Sequence, residues 1–128
     1  MKDKVKYWTE LSDYDYDTAI AMYTTGRYLY VGFMCHQSIE KILKAYFNNL
    51  YNDVAPYTHN LTHLAKKTEL YDKLPENLLD FLDVLEPLNI ESRYPAYKEK
   101  LMKSLTQERC KLILDNTKIL KLWITENF

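Results

Sequence analysis

Apolar residues recur at helical spacing along most of the chain, and the breaks in that pattern fall where helices end. Val5, Trp8, Tyr16, Ala19, Ile20 and Tyr23 share one broad face, which predicts a first helix over about residues 3–24. Asp13, Asp15 and Asp17 alternate with tyrosines at the period of a strand, but the wider pattern is helical. Thr25-Gly26 ends this helix, with Gly26 suited to the C′ position. A second helix follows over about residues 27–51, then a polar connection over 52–59 punctuated by Pro56. A short third helix covers about 60–70, with Leu61, Leu64 and Ala65 inward. Pro75 suits the first turn of a fourth helix that reaches about Leu88 and carries Leu78, Leu79, Leu82 and Leu85 on one face. Residues 89–97 read as a structured loop, because Pro95 disfavours helix at Tyr94. A last helix covers about 98–126, and its first turns can form a separate piece.

Two of these helices carry more than a core face. In the last, Cys110, Ile113, Leu120 and Ile124 make one apolar stripe, and Leu105, Leu112, Ile119 and Trp123 make a second, rotated by roughly a third of a turn. One stripe serves the bundle, and the second predicts an interface with another copy of the chain. In the second helix, Gln37, Glu40, Lys41 and Lys44 line up apart from Ile39, Ile42, Leu43 and Tyr46. The polar row is either a solvated face or the wall of a binding groove.

The expected fold is all-α: an antiparallel up-and-down bundle of four to five helices, forming one domain over residues 1–128. With 47% hydrophobic residues and only 2 glycines, the chain can bury a core and needs few turns. A formal charge of −1 excludes a global basic field for nucleic acid, so any such contact is local. Cys35 and Cys110 lie far apart in apolar helical patterns and read as buried free thiols, which suits a reducing compartment. The first residues lack an apolar signal core, and no apolar run reaches the ~20 residues of a bilayer span, so a cytoplasmic protein without membrane contact is expected.

Four segments in order carry a family resemblance. Trp8, then Asp15 with Ala19, precede Gly26-Arg27-Tyr28. His36-Gln37-Ser38-Ile39-Glu40-Lys41-Ile42-Leu43-Lys44-Ala45 contains Gln-x-x-Glu-Lys-x-x-Lys-Ala. Thr58-His59-Asn60-Leu61 is followed by Leu64, and Ser92-Arg93-Tyr94-Pro95 closes the set. Together they resemble the HEPN family, the higher-eukaryote and prokaryote nucleotide-binding domains. The resemblance implies a dimeric helical bundle associated with nucleotides or RNA. It also implies a possible small nucleotidyltransferase partner. Other members of that family are metal-independent ribonucleases, often toxins of toxin–antitoxin pairs or defence proteins.

Those ribonucleases resemble one another in an Arg followed after four to six residues by His. The His transfers a proton near neutral pH, and the Arg holds the phosphate. In this chain no histidine follows Arg93 or Arg109, because the last is His63. The expected function is therefore a homodimeric binding and partner module without the usual nuclease motif. The alternatives are a ribonuclease with a noncanonical base and a purely structural dimeric adaptor. His59 and Arg93 are the weak catalytic candidates. Gln37, Glu40, Lys41, Lys44, Arg93 and Tyr94 are the candidate ligand contacts, with Arg93 expected close to Glu40 and the two lysines left as free cations. No metal or cofactor is expected: the three histidines and two cysteines lack zinc spacing, and there is no glycine-rich phosphate loop.

Overall fold

Two long helices form a hairpin against which the rest of the chain packs. The computed structural model describes residues 3–128, and its elements are α1 (Asp3–Thr24), α2 (Tyr28–Leu50), α3 (Leu61–Lys67), α4 (Glu76–Leu85), α5 (Pro95–Ser104) and α6 (Gln107–Glu126). Short 3-10 turns cover Glu86–Leu88 and Ile90–Ser92, and no strand occurs among the described residues. None of the described helices is long and apolar enough to cross a membrane.

Gly26 makes the α1–α2 hairpin possible. Its φ of 74° closes a Schellman motif, in which Arg27 N–H donates to Met22 C=O at 2.8 Å and Gly26 N–H to Tyr23 C=O at 3.1 Å. A side chain there is strained by the left-handed backbone, so Gly26→Ala should cost about 1 kcal/mol and lower the melting temperature by a few degrees. Further along, Ser12 and Ser38 draw the two helices together. Ser12 Oγ donates to Ser38 C=O at 2.7 Å, and Ser38 Oγ donates to Ser12 C=O at 2.9 Å. Both serines are fully buried, and the reciprocal bonds satisfy hydroxyls that would otherwise be costly there.

α6 lies along both long helices, antiparallel to α1 and in the same direction as α2. Tyr16 O–H donates to Leu114 C=O at 3.1 Å, and Lys121 pairs with Asp13. Cys110 Sγ stands 3.7 Å from Tyr28 C=O, while the Phe128 ring packs 5.4 Å from Tyr46. Cys110, Ile113, Leu120 and Ile124 are buried here as expected. α3 and α4 cover another side of α2, with Leu61, Leu64, Leu82 and Leu85 sealed inside. Burial pushes the Cys35 thiol up to about 12 and Cys110 to about 11, so both are inert core groups near neutrality.

Three expectations need correction. Leu105 is buried in the core and is not an interface residue. Its φ of −87° and ψ of 81° break the helix, so a stripe drawn at constant rotation does not continue across it. Thr106 then caps α6, its hydroxyl accepting from Arg109 N–H at 3.2 Å without a reciprocal side-chain bond. The segment expected as loop up to residue 97 is already helical from Pro95, which occupies the first turn of α5. Ile20 is exposed, because Ser12, Asp15 and Ala19 take the inward positions of α1.

Candidate functional site

Successive turns of α2 present His36, Glu40 and Lys44 along one row, and all three are buried. Glu40 is the hub. Its Oε1 lies 2.8 Å from His59 Nδ1, and its Oε2 accepts from Lys44 Nζ at 3.2 Å. His36 Nδ1 stands 4.0 Å from the same Oε1, and His36 Nε2 stands 4.0 Å from Glu86 Oε2.

Local structure places each group. Asn60 caps α3, its side chain accepting from His63 N–H at 2.8 Å, and Thr58 Oγ1 accepts from Asn60 N–H at 3.1 Å. His59 is held between these two bonded residues and meets α2. Glu86, in the turn after α4, accepts from Thr62 N–H at 3.0 Å and so braces the first turn of α3.

Burial governs the electrostatics. Desolvation drives His36 down to about 4, the nearby Glu40 carboxylate opposing that shift only in part. The ring is neutral at physiological pH, and neither nitrogen has a hydrogen-bond partner among the described residues. Desolvation raises Glu86 above its usual value, with the Thr62 and Leu61 backbone working the other way. Positive charge at Arg93 acts in the lowering direction at both groups.

The expected convergence is only partly formed. Glu40, Lys44 and His59 meet, joining the Gln-x-x-Glu-Lys and Thr-His segments directly. Arg93 makes no ion pair with Glu40: both carboxylate oxygens are occupied, and the guanidinium stacks 5.0 Å from the Tyr97 ring. Lys41 and Lys44 are not free cations. Lys41 pairs with Asp15 of α1, and Lys44, besides Glu40, sits 5.3 Å over the Trp8 ring. Tyr94 is well exposed, and Gln37 is half-buried with an Nε2 lacking any hydrogen-bond partner among the described residues. His63 is exposed. Sequence reasoning missed His36, although its i, i+4 spacing from Glu40 was visible. Asp15 stood among the family segments with no sign of its pairing to Lys41, and Glu86 left no local signal.

Chemically, a buried carboxylate holding one nitrogen of a half-exposed imidazole leaves Nε2 to exchange a proton with a bound group. No group of three or more His, Cys, Asp or Glu among the described residues is arranged to hold a metal ion.

Comparisons place the chain in a family. No curated protein shows a significant match to the chain. The crystal structure of TT1696 from Thermus thermophilus is similar at a TM-score of 0.84 and 19% identity, covering 99% of this chain and 100% of that one. At that identity the likeness is one of fold. The model of the HEPN domain matches residues 5–127, and the chain therefore belongs to the HEPN domain family.

Proposed function

We propose that this HEPN domain, over residues 1–128, is a homodimeric cytoplasmic binding module that acts on nucleotide or RNA, or beside a small nucleotidyltransferase, without the usual ribonuclease motif. The observation that carries this reading is an uncovered seam on α6. Leu112 and Ile119 are 62% and 52% exposed, and Trp123 is half-buried. With Arg109, Asn116 and Glu126 they follow the alternating three- and four-residue spacing of a helix–helix seam. An antiparallel pairing of two α6 helices sets Arg109 against Glu126 of the partner subunit and Leu112 against Trp123 of the partner subunit. A parallel pairing opposes like charges at both ends, so charge favours the antiparallel form. Light scattering on the unmodified chain at tens of micromolar is expected to return a dimer mass, and a monomer overturns the reading.

One contact favours a second reading, a metal-independent ribonuclease using His59 as its base. Glu40 orients that ring as the carboxylate of a catalytic dyad does. The absent Arg-to-His spacing outweighs it. RNA incubated with the protein in excess chelator should stay intact. Cleavage that disappears in His59→Ala would install the second reading instead.

A further inference from the structure

The outward side of α5 is an uncovered surface distinct from the α6 seam, and it is basic as well as apolar. Leu101 is the one residue of α5 that the core buries. Tyr94, Lys98 and Met102 follow one another at single-turn intervals, with Lys103 next to Met102. Tyr94 is 84% exposed and Met102 61%. Arg93, Lys98, Lys100 and Lys103 form no ion pair among the described residues, and Glu99 is the one carboxylate in that run. We propose that this face docks α4 of a second copy of the chain, head to tail.

The chain carries the complement of that face. Between Glu69 and Glu86 the sequence has six carboxylates and one cation, Lys73. Glu76, Asp80 and Asp83 of α4 are exposed and have no ion pair among the described residues, and Val84 keeps 39% of its surface in water beside them. Glu76, Asp80 and Val84 repeat at the same single-turn interval as Tyr94, Lys98 and Met102, and both helices are 10 residues long. A parallel pairing at that register sets Asp80 of the partner subunit against Lys98, Asp83 of the partner subunit near Lys103, and Val84 of the partner subunit against Met102. Met102 also borders a hollow of about 230 Å³ with Arg27 and Tyr30, which offers room for an apolar side chain.

Charge and apolar surface together favour this occupant over nucleic acid. A polyanion satisfies the cations alone, whereas a partner α4 also takes Met102 and Val84 out of water. Exposed ion pairs contribute little singly and are screened by salt, so the contact belongs to concentrated protein at low ionic strength. Because α5 meets α4 and not another α5, each added copy leaves a free α4 and a free α5, and copies join into rings or open chains. The contact needs neither the α6 seam nor a bound nucleotide.

Sedimentation velocity on the full chain at about 200 µM, in about 20 mM and about 500 mM sodium chloride, tests this. The average mass in low salt should be at least about twice that in high salt. Lys98→Glu with Lys103→Glu, and separately Asp80→Lys with Asp83→Lys, should each hold the low-salt mass at the high-salt value. An equal mixture of these two proteins should recover the larger mass, because each reversed face meets its opposite on the other protein. That recovery also shows that both variants are folded. Leu112→Asp with Ile119→Asp should leave the salt-dependent growth in place, and its loss there would assign the growth to α6 and overturn the proposal. Equal masses in the two salts for the unmodified chain, or growth that persists in either reversed variant, overturn it as well. Growth that the mixture does not recover overturns the pairing of α4 with α5. If the unmodified chain does not grow in low salt while Lys98→Glu with Lys103→Glu weakens octauridylate binding, α5 serves RNA and the proposal fails.

Discussion

Replacing Glu40 by alanine should destabilise the chain by about 3 kcal/mol, since removing one partner of a buried ion pair strands the other charge. Lys44 keeps only 8% of its side chain in water, so its ammonium has little solvent to turn to. The same change frees His59 and lets the connection after α2 loosen from the bundle. For a chain of this size the melting temperature should fall by roughly 10 °C. Glu40→Gln retains hydrogen-bonding capacity and should lose less. A melting curve for Glu40→Ala that overlies the parent curve would sink the account of Glu40 as the hub.

The same cluster predicts how stability depends on pH. His36 has a pKa near 4 in the folded chain against an ordinary 6.5. A base depressed in this way binds fewer protons folded than unfolded, so stability rises with pH across that window. The full contribution is present above about 6.5, fades as pH falls, and is gone below about 4. Over the whole window it amounts to about 3 kcal/mol, the product of the shift and the free energy per pKa unit. Glu86 acts in the opposite sense: its raised pKa means that the folded chain holds an extra proton just above the usual Glu range, and that stabilisation is lost as pH rises. Urea titrations of the parent and of His36→Gln between about pH 4 and 7 separate the two. The difference between the curves should carry the His36 slope, and parallel curves would contradict it.

A second large effect is expected on α6. Aspartate at both Leu112 and Ile119 should convert the proposed dimer to monomer at tens of micromolar while leaving the helix content almost unchanged. Both side chains point away from the core, so the changes cost the isolated fold little. Within an antiparallel pair, however, they place four carboxylates in an apolar seam, and burying unpaired charge is prohibitive. The dissociation constant should rise by at least about a thousandfold, corresponding to roughly 4 kcal/mol. Arg109→Glu tests orientation. It opposes Glu126 of the partner subunit in the antiparallel register, and adding Glu126→Arg should restore the dimer. Sedimentation velocity on the four proteins decides it, and a dimer that survives the double aspartate change excludes α6 as the interface.

Much of the fold was legible in the residues alone because helices are specified by short-range rules. Periodicity located α1, Gly26 ended it, and the leucines of α3 and α4 marked their buried faces before any contact was known. The family segments were equally readable, being contiguous strings. What tertiary structure decided was the choice among competing partners. Glu40 has Lys44 one turn away, and Arg93 was a plausible second cation. Yet the second contact is His59, because the capped start of α3 delivers that ring to α2. Lys41, the residue after Glu40, turns to Asp15, since α1 crosses on its side. Leu105 left its stripe when the chain bent at a residue whose backbone no periodicity describes. Charge pairing falls off slowly with distance and recognises no sequence separation, so each ionic choice waits on where the helices cross. A helical repeat needs only the next turn of its own chain.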